Sequence, residues 1–330
     1  MSGLQELVIE LTDRCPMSCQ HCSSNSGPAR KACLPIGQVR RILAEAETLR
    51  ASQISFGGGE PTISGCFAEA VREATTRGFS VEIFTCGADI SQTGQLVGFS
   101  PALIKHLAAL NGNLTLVFSF HGACAQVHDA ITGVGGSFGC LTDSLRRCRD
   151  QGLRCTANFV PTKANAFDLS NLVCLLESIE IPKLSILRFV PQGRGLVNRR
   201  RLELDREEED AFVEDLMRIR DASSIEIRTG SPFNGIVPEN NVPCRAGHQK
   251  LVIQANGNVL PCEVFKHRER SDWGASIHTA RLEAILQSPQ FVALHKILLD
   301  GRCAPCPVHG ILRANQQRTG VMHGVSNTTV

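Results

Sequence analysis

The sequence predicts an α/β fold in which six parallel strands and the helices between them form a TIM-like partial (β/α)6 barrel. The first observation is that short β-rich runs alternate with amphipathic helical stretches from residue 7 onward. The second is that such strand–helix–strand units connect with one hand, which makes the strands parallel and gathers their C-terminal ends at one edge. A full eight-stranded barrel is the structural alternative, but the later segments do not repeat the pattern.

The strands and helices of this core can be placed in chain order. Strands are predicted at 7–11, 53–56, 80–85, 114–120, 154–160 and 184–190. Helices are predicted near 36–50, 65–78, 101–110, 136–151 and 167–179. In the first helix, the stretch from Gln38 to Leu49 has apolar residues at intervals of three and four, which is typical of a helix with one packed face.

After residue 196 the composition changes. A charge run of mixed sign from Asn198 to Asp210 leads into a helix that ends near Ala222, and a strand-like run follows at 224–228. Asn256-Gly257 lies between two apolar runs and predicts a hairpin, and a further helix is expected near 279–299. The expected organisation is a core (1–196), a linking helix and strand (197–240), a small α+β cysteine-rich extension (241–310) and a tail (311–330).

Composition and charge narrow the class of protein. The chain has 330 residues, 42% of them hydrophobic and 20% charged, as in ordinary globular proteins. A net charge of +2 gives no support to nucleic acid or an anionic membrane as a partner, and no apolar run has membrane-spanning length. The N-terminus lacks the basic and apolar regions of a signal peptide. With 15 cysteines and no sign of export, we expect a cytoplasmic location and metal-binding thiols.

Three cysteines at positions 15, 19 and 22 have the spacing C-x3-C-x2-C and follow the first predicted strand. Four thiolates would complete a zinc tetrahedron or bind all the irons of a [4Fe–4S] cluster, whereas three leave one iron open to a small molecule. A zinc site is the alternative, but His21 lies between two of the cysteines and is badly placed to supply a fourth ligand. The spacing alone leaves both a zinc site and a cluster with an open iron possible, and the rest of the chain decides between them.

A glycine run follows the second predicted strand, at Gly57-Gly58-Gly59-Glu60. Glycines let the backbone approach a ligand closely, and the adjacent carboxylate can accept from an ammonium group. Together with the cysteine triad, this motif resembles the radical S-adenosylmethionine (SAM) superfamily. The resemblance implies that SAM chelates the open iron, that Gly58, Gly59 and Glu60 bind its amino group, and that reductive cleavage of SAM yields a 5′-deoxyadenosyl radical that abstracts a substrate hydrogen.

The resemblance also implies SAM contacts at the ends of the later strands. Thr85 lies where relatives carry a polar residue facing SAM, and Ser119 lies where they form a hydrogen bond to it. His21 occupies a position where an aromatic ring packs near the adenine. No catalytic acid or base is identified, and Cys86, although close to the predicted site, is given no catalytic role. The residues expected to bind the cofactor are His21, Gly58, Gly59, Glu60, Thr85, Ser119, Asn158 and Arg188.

Some charged residues and histidines near these strand ends have two interpretations. His121 stands where relatives of the sulfatase-maturase and peptide-modifying subgroup usually have Asp, which puts ribose or substrate contacts there in doubt. For His128-Asp129 we favour a pair at a helix start, with the carboxylate accepting from backbone donors. Arg188 and Arg194 are each either a partner for a carboxylate of SAM or substrate, or a surface charge.

A second cysteine group lies in the C-terminal region. Cys244 and Cys262 flank the predicted hairpin, and Cys303-Ala-Pro-Cys306 adds a C-x2-C. A zinc site with four thiolates fits the same spacing. The arrangement also resembles the shortened SPASM, or twitch, extension of radical SAM enzymes, and no cysteine follows Cys306 to serve another cluster. The resemblance implies that these four cysteines bind one auxiliary [4Fe–4S] cluster.

These resemblances predict a radical SAM oxidoreductase or maturase that oxidises or cross-links a ribosomally made peptide. A dehydrogenase of a small molecule such as an amino-sugar alcohol is the alternative substrate class, and a zinc-stabilised binding module without catalysis is the alternative of another class. Since the chain begins almost at its first core strand, we expect any leader peptide to be recruited by a separate protein. The other expected partner is an electron donor such as flavodoxin or ferredoxin.

Overall fold

The core of the fold is a nine-stranded sheet in the computed structural model, which describes residues 3–110, 112–266 and 275–299. The strands in chain order are β1 (Glu6–Thr12), β2 (Gln53–Gly58), β3 (Ser80–Thr85), β4 (Asp89–Ile90), β5 (Leu96–Val97), β6 (Leu114–Phe120), β7 (Arg154–Phe159), β8 (Lys183–Ile186), β9 (Glu226–Thr229), β10 (Lys250–Ile253) and β11 (Val259–Leu260). The order across the sheet is β11-β10-β1-β2-β3-β6-β7-β8-β9, and β4 and β5 form a separate hairpin. All pairings in the large sheet are parallel except that of β10 with β11.

Helices connect most of the strands, and most of them pack their buried side chains against the sheet in one large core. They are α1 (Ile36–Thr48), α2 (Phe67–Thr76), α3 (Pro101–Ala108), α4 (Ala125–Thr132), α5 (Ser137–Asp150), α6 (Leu169–Ser178), α7 (Arg194–Val197), α8 (Arg199–Leu202), α9 (Arg206–Ala222), α10 (Leu282–Leu286) and α11 (Pro289–Leu299). In α1 the buried side chains are Val39, Ile42, Leu43 and Ala46, the three-and-four spacing expected from the sequence. The main core lies between these helices and the sheet, where a fully buried phenylalanine such as Phe118 contributes roughly 1.5–3 kcal/mol.

The six predicted strands are confirmed as β1, β2, β3, β6, β7 and β8, which lie side by side in chain order. The sixth was expected to continue to residue 190 but ends at Ile186. Leu187 makes one more backbone bond, from its N to Phe159 O (2.8 Å), and Arg188 then pairs with Glu209. The chain therefore leaves the sheet earlier than the apolar pattern suggested.

The sheet continues on both sides of the predicted six strands. β9, from the predicted linking region, pairs in parallel with β8. β10, from the C-terminal region, pairs in parallel with β1. The hairpin predicted at Asn256-Gly257 is confirmed and joins β10 to β11, with Gly257 at a φ of 85°. The C-terminal extension thus shares a sheet with the core, and the domain limits inferred from composition stay predictions.

Several helical features differ from the sequence-based expectation. α4 and the short helices α7 and α8 were not predicted, and the single helix expected near 279–299 is the pair α10 and α11. The break falls at Ser288, because Pro289 has no amide hydrogen and is tolerated only in the first turn of the second helix. Among the described helices, none is both long and apolar enough to cross a membrane.

Candidate active site

The cysteine triad lies on the loop that follows β1, and this loop is anchored from two sides. On one side Ser18 N donates to Thr132 O at the end of α4 (2.9 Å). On the other side Arg194 donates from its Nε to Cys19 O (2.8 Å) and from its backbone N to Cys22 O (3.1 Å). Since these bonds use backbone atoms of the loop, its path is set by the folded chain itself.

The three thiols lie close enough to influence one another. Cys15 is buried, and Cys19 and Cys22 are partly buried. Burial raises the pKa of the Cys19 thiol well above its usual value, and Cys15 and Cys22 raise it further, whereas Arg194 lowers it. Three thiolates in this place would therefore need a compensating positive charge, which iron supplies when thiolates ligate it.

The donor set of the loop suits an iron–sulfur cluster. Its three free cysteines follow one another on a single loop, with Cys15 buried and Cys19 and Cys22 partly buried. In a [4Fe–4S] cluster each thiolate binds a different iron, and three thiolates leave one iron open. The residues present fit the cluster that the sequence predicts.

The glycine run after β2 packs directly on the start of the cysteine loop. Gly59 N donates to Thr12 O (2.6 Å) and Glu60 N donates to Arg14 O (2.9 Å). A Cβ at Gly58 would lie 2.3 Å from Thr12 O, and a Cβ at Gly59 would lie 1.9 Å from Arg14 O. Gly58 also has a φ of 119°, which L-residues with a side chain rarely adopt. Only glycines allow this approach, which brings Glu60 next to the triad.

The carboxylate of Glu60 is fully buried and holds the ends of β2 and β3 together. Its Oε1 accepts from Thr62 Oγ1 and Thr85 Oγ1, both at 2.8 Å, and its Oε2 accepts from Cys86 N at 2.7 Å. Burial raises the pKa of Glu60, and these hydrogen bonds oppose that rise. A cationic group nearby would favour the ionised form. Glu60 is thus suited to face an ammonium group, and Thr85 is one of the residues that position it.

Ser119 on β6 and Asn158 on β7 are direct neighbours in the sheet. Phe118 and Phe120 point into the helix-covered core, and side chains alternate along a strand, so Ser119 lies on the opposite face. Asn158 shares that face because paired residues of adjacent strands point the same way. The structure therefore brings two of the predicted SAM-contacting residues together on the open side of the sheet.

Three histidine rings contact one another in a row beside the triad, the first pair edge to face. The ring centroids of His21 and His121 are 4.6 Å apart, those of His121 and His128 are 5.1 Å apart, and His121 N donates to His128 Nδ1 (3.2 Å). Burial lowers the pKa of His21 and of His128 to about 4 and that of His121 well below its usual value. All three rings are therefore neutral near pH 7. The sequence placed His21 at the adenine position but did not predict its contact with His121.

Asp129 accepts backbone hydrogen bonds, as predicted, but it does so from within a helix. It belongs to α4 and caps the next helix, α5: its oxygens accept from Gly136 N (2.7 Å), Ser137 Oγ (2.7 Å) and Phe138 N (2.8 Å). The sequence analysis expected His128 and Asp129 to lie at the start of a helix. They instead lie inside α4, which was not predicted, and Asp129 accepts from the start of the following helix. Partial burial opposes ionisation, but these hydrogen bonds lower the pKa of Asp129 below its usual value.

Replacing Asp129 by alanine is expected to lower the free energy of unfolding by about 1–2 kcal/mol at pH 7, since α5 loses its capping acceptor. The folded-state pKa of Asp129 is depressed, so its contribution is complete above the unfolded-state value of ~3.9 and disappears as the pH falls through the folded-state pKa. Urea unfolding of the parent and the variant at pH 7 and below pH 4 measures how this contribution to the free energy of unfolding changes with pH. Asp143→Ala, which removes only an exposed pairing with Arg147, is the matched control. A parent–variant difference that does not shrink in acid would contradict the prediction.

The two arginines near the sixth strand have structural partners. Arg188 Nη2 lies 2.9 Å from Glu209 Oε1 and its Nη1 donates to Pro232 O (3.1 Å). Arg194 anchors the cysteine loop as described above and also donates to Asn25 Oδ1 (3.3 Å). Contact of Arg188 with SAM stays a prediction that these bonds do not support. The alternative of a surface charge also fails for Arg188, whose side chain is 12% exposed.

The C-terminal cysteines are described in part. Burial raises the pKa of the Cys262 thiol well above its usual value. Cys244 lies close enough to raise it further. Cys303 and Cys306 lie outside the described residues. Lys266, four residues after Cys262, forms a buried ion pair with Glu10 (2.6 Å) and donates to Ser24 Oγ (2.8 Å). The cysteine-rich region therefore packs directly against the end of the triad loop.

A cleft of about 690 Å³ opens between the triad loop and the C-terminal hairpin. Its walls include Asn25, Arg30 and Arg194 on the core side and Asn256 and Phe265 on the hairpin side. The cleft is large enough for several residues of a peptide or a small metabolite. The cleft borders Ser23, Ser24 and Asn25, which directly follow Cys22.

Comparisons with known proteins agree with this geometry. The model of the radical SAM superfamily matches residues 9–163, and that of the SPASM iron–sulfur cluster-binding domain matches residues 244–307. The PqqA peptide cyclase of Rhodopseudomonas palustris is 26% identical over 291 residues, which are 86% of this chain and 74% of that protein. The mycofactocin maturase MftC of Mycobacterium ulcerans is 27% identical over 309 residues, 91% of this chain and 79% of that protein.

A solved structure shows the same fold. SuiB of Streptococcus suis, determined with its precursor peptide SuiA, superimposes with a TM-score of 0.68 at 18% identity over 88% of this chain. The chain spans 66% of the length of SuiB. The likeness covers both the sheet with its covering helices and part of the cysteine-rich extension.

Proposed function

The chain belongs to the radical SAM superfamily, and we propose that it is an enzyme that oxidises or cross-links a peptide. The observation that carries the proposal is the meeting of three cysteine thiols with the Gly58-Gly59-Glu60 turn at the C-terminal edge of the sheet, where (β/α) barrels hold their reactive groups. When bound, an iron–sulfur cluster and SAM supply a 5′-deoxyadenosyl radical that removes a hydrogen atom from an unactivated C–H bond.

Different residues of the core would bind the cluster and SAM. Cys15, Cys19 and Cys22 would each bind one iron and leave the fourth for SAM. Glu60 would accept from the SAM ammonium, which its buried carboxylate favours electrostatically. Ser119 and Asn158 offer neutral hydrogen-bonding groups on the open face of the sheet. The neutral ring of His21 would pack against the adenine.

The C-terminal region would hold a second [4Fe–4S] cluster through Cys244, Cys262, Cys303 and Cys306. The proximity of Cys244 to Cys262 and the match of the iron–sulfur domain support this assignment. A second redox group suits a two-electron oxidation or a cross-link better than an isomerisation, because an isomerisation needs no net electron acceptor. The ion pair of Lys266 with Glu10 keeps this region against the active site.

A peptide is the substrate class that the relatives favour. One relative is named as a cyclase of the PqqA peptide, and SuiB was solved with its precursor peptide. The cleft between the triad loop and the hairpin has room for a few peptide residues. We also propose a separate leader-binding protein, an electron donor such as flavodoxin or ferredoxin, and a cytoplasmic location that keeps the cysteines reduced.

The test is anaerobic turnover with each short peptide encoded beside the gene, and in parallel with an amino-sugar alcohol. With reductant and SAM, we expect one peptide to lose two hydrogen atoms and to release 5′-deoxyadenosine in step with the product. Turnover of the amino-sugar alcohol alone would reverse the choice of substrate class. The same yield of 5′-deoxyadenosine with and without every substrate would contradict hydrogen abstraction.

A further inference from the structure

Glu10 on β1 lies in the wall of the cleft and is held there by one of its two carboxylate oxygens. Lys266 Nζ lies 2.6 Å from Glu10 Oε1 and also donates to Ser24 Oγ (2.8 Å). Ser24 Oγ in turn donates to the same Oε1 (3.0 Å). Ser24 belongs to the loop that carries the triad and Lys266 to the C-terminal region, so Oε1 joins the two sides of the cleft.

The second carboxylate oxygen of Glu10, Oε2, has no hydrogen-bond partner among the described residues. The side chain is only 5% exposed, so water reaches this oxygen poorly. Oε2 is nevertheless not one of the fully enclosed polar atoms that lack a partner, and it therefore has an open side towards the cleft. A buried acceptor without a partner is costly, so a donor that enters the cleft gains a strong bond at Oε2.

The charges around the cleft favour an uncharged donor over a cation. Lys266 already balances the charge of Glu10. The rest of the wall contains two arginines, Arg30 and Arg194, and one further carboxylate, Asp13. A cation would therefore meet a wall that is positive on balance. A peptide N–H carries no net charge and still forms a strengthened bond, because its acceptor is ionised.

We propose that Glu10 Oε2 accepts a hydrogen bond from a backbone N–H of the substrate peptide and so fixes the peptide in the cleft. The inference rests on the proposed function. Amide side chains supply further donors and acceptors for a peptide backbone, and those in the wall are Asn25, Gln254, Asn256 and Asn258. Lys266 and Ser24 hold the Glu10 carboxylate in place, so the free oxygen needs no rearrangement to receive the peptide.

The test uses a library of acetylated tetrapeptide amides as the probe and the full-length reconstituted enzyme with SAM as the binder. The peptide that the parent retains best is then titrated against the parent and against Glu10→Gln, which keeps an acceptor for Lys266 but loses the ionised one. We expect the dissociation constant to rise about tenfold or more in the variant, as for the loss of a hydrogen bond to a charged group. Iron content and SAM affinity should stay parental.

Methylation of the backbone nitrogens of that peptide, one at a time, identifies the donor. At one position the methyl group should weaken binding to the parent about tenfold and cause no further loss in Glu10→Gln, because the two changes remove the same bond. If Glu10→Gln loses iron, Glu10→Asp takes its place, since it keeps the charge beside Lys266 and withdraws the carboxylate from the cleft. Additive losses at every position would overturn the contact.

Glu6→Gln is the matched control. Glu6 lies on the same strand and face as Glu10, since side chains four residues apart on a strand point the same way. Its Oε1 accepts from Ser55 Oγ (3.2 Å) and lies 3.2 Å from Lys250 Nζ, as Glu10 Oε1 does with its own serine and lysine. Glu6 does not line the cleft, and its replacement should leave the affinity for the peptide unchanged.

The remaining outcomes separate this inference from the proposed function. Equal affinity of the parent and Glu10→Gln, or an equal loss in Glu6→Gln, would overturn the role of Glu10 alone. Retention only of peptides whose affinity depends on a lysine or arginine side chain would overturn the uncharged donor. If the parent retains no peptide but still forms 5′-deoxyadenosine with reductant and SAM, the inference fails and the radical chemistry stands. A parent that binds no iron would overturn both.

Discussion

Replacing Cys15, Cys19 and Cys22 together by alanine is expected to abolish reductive cleavage of SAM, so that 5′-deoxyadenosine falls to the level of an enzyme-free reaction. The triad would supply every protein ligand of the catalytic cluster, and without it neither the cluster nor the open iron can be held. The loop itself should survive, because Arg194 and Thr132 hold it through backbone atoms that alanine retains. Chromatographic assay of 5′-deoxyadenosine after anaerobic incubation measures the effect.

The matched control replaces three other cysteines, Cys33, Cys124 and Cys174, which are exposed. This variant removes the same number of thiols and should form 5′-deoxyadenosine at close to the parental rate. Equal losses in both variants would mean that cysteine content, and not the triad, decides activity. Persistent cleavage of SAM by the triad variant would contradict the assignment of the catalytic cluster.

Gly59→Ala is expected to destabilise the fold by about 3 kcal/mol, at the upper end of what overpacking costs, and to weaken SAM binding by more than tenfold. The new Cβ would stand 1.9 Å from Arg14 O, so the backbone of one of the two segments must move. That movement breaks the bonds from Gly59 N to Thr12 O and from Glu60 N to Arg14 O, which place Glu60 beside the triad. Urea unfolding and a SAM-binding titration measure the two effects.

Gly57→Ala is the internal control, two residues earlier and within β2. A Cβ there meets only Phe84 Cβ, at an ordinary 3.9 Å, and its backbone needs no positive φ. We expect its free energy of unfolding to stay within roughly 1 kcal/mol of the parent and its affinity for SAM to be unchanged. If the two alanine variants behave alike, close backbone approach does not explain why glycine stands at position 59.

Local patterns in the sequence predicted the core of the fold well. The three-and-four spacing of α1, the six strands and the turn at Asn256-Gly257 depend on residues close together in the chain, and each is confirmed. Because parallel strands end at one edge, the sequence also indicated that Glu60 and the triad would be near each other. The backbone bond from Glu60 N to Arg14 O shows how that proximity is made.

Long-range pairing was not visible in the sequence. β10 lies beside β1 although more than two hundred residues separate them, and nothing in its apolar pattern identifies its partner. The same holds for Arg188: its position near the end of a strand suggested a carboxylate ligand, but Glu209 on α9 is the partner that the fold supplies.

The central claim is that this chain holds two separate iron–sulfur clusters, one for SAM at Cys15, Cys19 and Cys22 and one in the C-terminal region. The most direct measurement is the iron content and reduced electron paramagnetic resonance spectrum of the triad-to-alanine variant after anaerobic reconstitution. We expect about four irons per chain, against about eight in the parent, and the spectrum of a [4Fe–4S] cluster that does not respond to SAM. A variant that retains zinc but no iron would contradict the claim and make the C-terminal cysteines a structural site.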